Sequence, residues 1–426
     1  MTDKTLPIIP PTARVFAILL GVAVPAVVFG RSVFAVIVAL ALITLCISRP
    51  WRAIAGDLWR HSRTPLGVFV LLTFAAWLPN VFMSHMPSRS FEAVARTLIF
   101  VALASVFWSG LASHRDLVTL SRRAFTIMAG ISVLYSLLAL NGLPEIYWFL
   151  RLKGWLPQPL STQLKGFSAL AVIIVPIVAL TAYRASAIWK MACVLVATGY
   201  LYIVWESYNR SAMAGFLAVL ISVVVAGFVY KGRKRQVLVG LLVFVAVMAG
   251  ALAWLHATRG YYQEAAPPGN WLFPVWLVDY ERQIIWSKAL EIARLSPWFG
   301  IGANTINFMP GANGIIPGTE NLHVIPAHPH NWMVEVFAET GAVGLAMLLV
   351  AIVAYSVRTL LTLRRTGNIG LIAVIAIMAG YWGSGLFNFS YWSAWWQVSF
   401  LMGIVLAGLT LPDKQSNNVP WFLIQL

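Results

Sequence analysis

Arg210, Arg282 and His330 are the residues whose types and settings in this chain could do chemistry. Arg210 stands in the tight turn Tyr208-Asn209-Arg210-Ser211 between two apolar runs. An arginine at membrane depth costs about 2.5–3.5 kcal/mol on insertion scales, so it is usually paired or functional. The plainer alternatives are a side chain snorkelling to the headgroups or a pair with nearby Glu206. Arg282 lies in Asp279-Tyr280-Glu281-Arg282-Gln283-Ile284-Ile285-Trp286, which opens a segment with apolar residues at 284, 285, 289, 290, 292 and 293. That spacing predicts an amphipathic helix of about four turns, stopped by Ser296-Pro297. A cation in the first turn is unfavourable for helix stability alone, so Arg282 serves something else. Lys288 and Arg294 fall to the solvated face.

His330 closes His328-Pro329-His330-Asn331, with Glu335, Glu339, Gly341 and Gly344 following. A histidine at a helix entrance near two arginines suits general-base work, because its ordinary pKa is about 6.5. A lone histidine there can also be a mere cap. His-x-His could ligate a metal, but the proline and the lack of a Cys or an acidic third ligand speak against one. Trp298-Phe299-Gly300-Ile301-Gly302-Ala303-Asn304 carries a Gly-x-Gly with no strand before it, which reads as a tight turn and not a dinucleotide site. Two arginines and a histidine, without a paired carboxylate or a nucleophilic Ser or Cys, point to a phosphate-bearing substrate. Arginine holds phosphate bidentately and stays charged.

The elements that must position these residues belong to a membrane. The 426 residues are 60% hydrophobic and only 10% charged, against about 25% charged in soluble domains. The deficit runs along the whole length, which predicts an all-α polytopic membrane protein. Apolar stretches near 20 residues without alternation exclude a β-barrel. Apolar runs fall at 14–30, 33–47, 66–84, 91–111, 122–141, 167–183, 188–206, 211–230, 237–256, 331–357, 369–389 and 392–411. Residues 1–256 thus hold nine spans, 257–330 form one long polar loop with short helices, 331–411 hold three more spans, and 412–426 form a tail. The first run shows no cleavage site. Cys46 and Cys193 lie inside apolar runs, so neither a disulfide framework nor a metal cluster is expected.

A net charge of +16 would suggest nucleic acid in a soluble protein. Its distribution explains it otherwise. With the N-terminus inside, alternate loops hold 19 of the 30 basic residues and only four of the 14 acids, Asp3, Asp57, Asp116 and Asp413. Every second loop obeys the positive-inside rule. The excess is a topology signal, and no nucleic-acid partner is needed. Both termini are expected in the cytoplasm and 257–330 outside it, where no ATP is present and a substrate must arrive already activated.

Taken together, Asn209-Arg210-Ser211-Ala212 at a span start, Arg282-x-x-Ile285-Trp286, Pro297-Trp298-Phe299-Gly300-Ile301-Gly302 and His330-Asn331 followed by Glu335 and Glu339-Thr340-Gly341 resemble the O-antigen ligase family. That group also includes O-antigen polymerases and protein O-oligosaccharyltransferases. The twelve spans with one long late outer loop resemble it over nearly the whole chain. The resemblance implies an architecture like that of C-type glycosyltransferases. It also implies inverting transfer of a polymerised glycan from undecaprenyl diphosphate to lipid A-core, at the periplasmic face of the bacterial inner membrane. No metal, ATP or other cofactor is implied. The partners would be the lipid-linked glycan, the lipid A-core acceptor and membrane lipids. The family's paired arginines and histidine carry over to Arg210 and Arg282 on the diphosphate and His330 as general base. Asn331, Glu335, Lys153 and Lys165 are candidate supporting residues. Lys153 and Lys165, with Arg151, Trp148 and Trp155 in the same outer loop, either guide an anionic substrate or anchor the loop at the interface. Tyr391-Trp392 and Trp395-Trp396 read most simply as an aromatic belt at the membrane edge. The chain ends about 15 residues after its last span, which speaks against the oligosaccharyltransferases. Polymerases of the family look alike and often carry more basic outer loops, and a ligase is expected before a polymerase. A transporter is the rival from another class. It is disfavoured because the spans carry few mid-depth charges and no repeated halves.

Overall fold

The computed structural model describes residues 9–151, 160–231, 234–261, 269 and 271–409. They fold as α1 (Pro11–Ala23), α2 (Arg31–Ser48), α3 (Trp51–Ser62), α4 (Pro65–Met83), α5 (Pro87–Ala112), α6 (Arg115–Leu140), α7 (Pro144–Leu150), α8 (Leu160–Gln163), α9 (Lys165–Ala169), α10 (Ala171–Ala182), α11 (Ala187–Glu206), α12 (Arg210–Lys231), α13 (Lys234–Arg259), α14 (Tyr280–Ala293), α15 (Trp332–Thr366), α16 (Gly370–Gly385) and α17 (Ala394–Gly408). Among the described residues the only β pairing is a single bridge between Ile315 and His323. Eight helices are long and apolar enough to cross a membrane, and α1, α10, α16 and α17 are shorter apolar ones. Each of the twelve apolar runs is therefore helical, in a polytopic membrane protein.

Proline begins several of these helices. Pro11, Pro65, Pro87 and Pro144 each occupy the first turn, where the missing N–H would have had no partner anyway. Proline also explains a departure from the expected spans. The run 14–30 is not one helix: α1 stops at Ala23 and Pro25–Phe29 form a 3-10 turn.

Small residues line the most extensive helix contact, between α12 and α16. A Cβ on Gly215 would lie 2.9 Å from the Ser384 Cβ and 3.0 Å from the Gly380 carbonyl. Between helices in lipid, such backbone approach is the chief source of packing attraction. One apolar core joins α1, α2, α5, α6, α10, α16 and α17. A second is built on Trp77, Trp332, Val336, Tyr391 and Trp392. A third, with Ala289, Ile292, Ile301, Ile306, Met309 and Ala338, lies beneath the segment linking α13 to α15. That segment is therefore a packed layer with its own core.

The run 331–357 also departs from expectation. Its helix α15 is broken at Gly341, whose φ of 69° and ψ of −176° fit only glycine comfortably. Pro297–Gly302 packs into the break. Ile301 N donates to the Ala338 carbonyl (3.1 Å), Gly302 N to Glu339 (3.1 Å), Ala342 N to Pro297 (2.8 Å) and Val343 N to Trp298 (3.1 Å). A Cβ on Gly341 would sit 2.3 Å from the Trp298 carbonyl, and one on Gly300 would sit 2.2 Å from that of Glu339. The Gly-x-Gly turn is thus half of an interlock with the helix break.

Glu339 closes this interlock. Its buried carboxylate accepts from the backbone N–H groups of Asn304 (2.7 Å), Thr305 (2.8 Å) and Ile306 (2.9 Å), and from the Trp392 indole. Asn80 of α4 donates to the Glu339 carbonyl and accepts from Ala303 N at 3.3 Å. Outer segment, α4 and α15 are tied together at one carboxylate.

Candidate functional site

Arg210 is positioned by a polar turn. Asn209 donates to the Lys165 carbonyl (2.7 Å) and to Ser168 Oγ (2.9 Å), while its Oδ1 accepts from Ser211 Oγ (2.7 Å) and Ala212 N (3.2 Å). The first turn of α12 is thereby capped and clasped to α9. Arg210 at its head is 58% exposed, so a ligand can reach it. Its carboxylate partner is Asp279, with Nη1 at 3.0 and 3.3 Å from the two oxygens, and not Glu206.

Asp279 is the residue before α14, yet its side chain caps no N–H there. It takes Arg210 on one side and Arg259, at the end of α13, on the other. Arg259 also donates to the Trp276 carbonyl at 3.0 Å. Gln283 fastens the same loop by donating to the carbonyls of Phe273 (2.8 Å) and Val278 (2.9 Å). Arg282, one turn into α14, donates to the Phe387 carbonyl. Burial, and then repulsion from Arg210, lowers its pKa from the ordinary arginine value. Three guanidiniums with the Asp279 and Glu281 carboxylates leave the cluster net positive, which suits a phosphate-bearing ligand.

His330 sits beside this cluster. Its φ of 56° is left-handed, an uncommon and strained conformation for a residue with a side chain. Trp286 holds the turn in place by donating to the Pro329 carbonyl at 3.0 Å. His330 Nδ1 faces two oxygens of Asn388, the carbonyl at 3.2 Å and Oδ1 at 3.3 Å. A ring nitrogen between two acceptors carries the proton, so Nε2 is left with its lone pair. Burial and then the Arg282 charge push the His330 pKa below the usual histidine value, against the opposing pull of Asn388. The ring is neutral at pH 7.

His328 stacks 4.4 Å from His330 and accepts from its backbone N–H at 3.1 Å. Burial, then His330 and Arg282, lower its pKa to about 3. No group of three or more His, Cys, Asp or Glu stands together among the described residues.

Arg210, Arg282 and His330 thus meet in one electrostatic cluster, with Arg282 acting on both others. The candidate supporting residues fare differently. Asn331 caps α15, accepting from Met333 N (3.0 Å) and Val334 N (3.3 Å). Glu335 is buried, accepting from Ser390 Oγ (2.6 Å) and Tyr391 N (2.7 Å), so it anchors the α16–α17 connection. Lys165 contributes its carbonyl to Asn209, and Lys153 and Trp155 lie outside the described residues. Lys288 is half-buried and pairs with Glu291 at 2.7 Å, while Arg294 is exposed. Tyr391, Trp392, Trp395 and Trp396 are buried in the cores and do not form an interfacial belt.

Sequence reasoning missed Arg259, Asp279 and Asn388 as members of the site. Arg259 had a signal, being a basic residue at the outer end of a span. Asp279 had one also, as an acid three residues before Arg282. Asn388 had none, because only the fold brings it to His330.

The family model described as O-antigen ligase matches residues 200–349. The similar curated proteins include "Putative polysaccharide ligase RP358" of Rickettsia prowazekii (strain Madrid E), 28% identical over 144 residues that make up 32% of this chain and 34% of the relative. "Putative polysaccharide ligase" of Rickettsia bellii (strain RML369-C) is 30% identical over 99 residues, 22% of either chain. The chain therefore spans about a third or less of the length of the curated relatives it matches. The match falls on the part of the chain that builds the cluster, from the Arg210 turn through α14 to His330. Residues 200–349 of this membrane protein are thus the part that is similar to the O-antigen ligase family.

Proposed function

We propose that the protein is a glycan ligase that moves a polymerised glycan from a lipid diphosphate, undecaprenyl diphosphate, to lipid A-core at the periplasmic face of the inner membrane. The observation that carries this reading is His330, its Nδ1 facing two Asn388 oxygens, beside a net-positive cluster of arginines. Arg210 and Arg282 hold the diphosphate and stabilise the charge that grows on it as the anomeric bond breaks. The acceptor hydroxyl attacks the anomeric carbon from the opposite face. Its oxygen forms the new glycosidic bond, its proton passes to His330 Nε2, and the electron pair of the broken C–O bond leaves on the lipid diphosphate. The configuration at that carbon inverts. Polarised donor phosphates supply the driving force, so the step draws on no nucleotide. The charge distribution of the loops supports placing this site outside the cytoplasm.

Deletion of the protein tests the assignment. Cells without it should make lipid A-core bare of long chains while lipid-linked polymer accumulates. A single repeat left on the core would make the protein a polymerase of the same family, and an unchanged glycolipid profile would end the proposal.

A further inference from the structure

A second cationic patch borders the same site from the other side. Three consecutive residues define the arrangement. Phe387 accepts from Arg282, Asn388 holds His330, and Phe389 packs its ring edge-on against Trp395, with centroids 5.5 Å apart. The guanidinium of Arg31, at the start of α2, lies over that Trp395 ring, 5.1 Å from its centroid. Along this short connection His330 therefore stands between the arginine cluster and Arg31. Trp395 also lies against Gly166, next to the Lys165 carbonyl that fixes the Arg210 turn.

Arg31 has company. Phe29 packs on Tyr135 (4.9 Å) and Tyr135 stacks on Tyr147 (5.9 Å). Arg151 lies over the Tyr147 ring at 5.0 Å and donates to its hydroxyl. Arg31 and Arg151 are near enough to repel one another. Among the described residues neither meets a carboxylate. Residues 152–159, which follow Arg151, contain no acid either. Two like charges held together on aromatic faces, with no counter-ion among the described residues, are arranged for an external anion. Trp395 and Tyr147 are themselves buried, so they brace the two guanidiniums and leave the charges to meet a ligand.

We infer that Arg31 and Arg151, braced on Trp395 and Tyr147, form an acceptor subsite that binds a phosphate on the acceptor glycolipid. This rests on the ligase reading above. In that frame the order of groups has a purpose. The diphosphate is taken by Arg210 and Arg282, the acceptor anion by Arg31 and Arg151, and the base lies between them, where the acceptor hydroxyl must lose its proton.

The test is binding, which requires no transfer. The full chain is placed in nanodiscs of zwitterionic lipid, and affinity is measured for phosphorylated lipid A-core and for the same glycolipid after phosphatase treatment. The R31Q/R151Q double variant should bind the phosphorylated form about tenfold or more weakly, since hydrogen bonds between charged groups are lost. It should bind the dephosphorylated form as the native protein does. R31K/R151K keeps both charges and should retain most of the affinity, which separates charge from folding. Equal binding of the phosphorylated form by native and R31Q/R151Q proteins would overturn the subsite. So would an equal loss for both forms, or abolition of the difference by phosphatidylglycerol in the disc, which would make the patch a headgroup anchor. If selective binding is present while ligation is absent, the ligase reading fails and the anion subsite stands.

Discussion

Replacing His330 by alanine should lower the rate of glycan transfer by about 10²–10⁴, the usual contribution of a general base, while the protein still inserts and folds. Among the described residues the ring hydrogen-bonds only to Asn388, a small part of what holds that connection, so the loss belongs to chemistry. The native enzyme should also show an acid limb. Because burial and Arg282 hold the His330 pKa below its ordinary value, the ring is neutral at pH 7. Lowering the pH through that depressed value protonates Nε2 and removes the base. The log of kcat/KM should therefore be flat near neutrality and fall with an apparent pKa below about 6.5. The residual activity of His330→Ala should lack this limb. Normal transfer by the variant in a purified assay would remove His330 from the reaction.

A different kind of loss is expected at Glu339. Its carboxylate satisfies three backbone N–H groups of the Asn304–Ile306 turn and the Trp392 indole, all in a buried setting. Glu339→Ala strands those donors. At about 1–3 kcal/mol for each unsatisfied buried group, the penalty is large compared with the stability of a typical domain. The thermal midpoint of the detergent-solubilised protein should fall steeply, and the yield with it. Glu339→Gln keeps the volume but turns an amide N–H toward other donors, so it should sit between alanine and native. An unchanged midpoint in both variants would mean that Glu339 does not hold the interlock. The expected contrast is a loss of stability at Glu339 and a loss of rate at His330.

Much of this was legible in the chain. The all-helical, polytopic character follows from run length and composition, because lipid permits few ways to satisfy a backbone. Arg210 and Arg282 stood out because a cation is costly at a span start and unhelpful in a first helical turn. Less was legible where partners lie far apart. The break at Gly341 looks from sequence like ordinary membrane glycine, and its cause is Pro297–Gly302, some 40 residues earlier. Glu335 read as a polar neighbour of the base, yet its acceptors are filled by Ser390 and Tyr391. The paired tryptophans read as a belt because composition cannot separate a buried aromatic from an interfacial one. Arg259 and Asp279 were hidden for a related reason. An ion pair between the end of one helix and the start of another leaves no local pattern.

The central claim is that a base and two arginines carry out a direct, inverting displacement on a lipid diphosphate. It is tested most directly by purifying the protein, supplying glycan on undecaprenyl diphosphate with lipid A-core, and determining the anomeric configuration of the linkage formed. The account predicts transfer with the configuration opposite to that of the donor, in buffer containing chelator and no nucleotide. Retention of configuration, or transfer that requires an added metal or ATP, would contradict it.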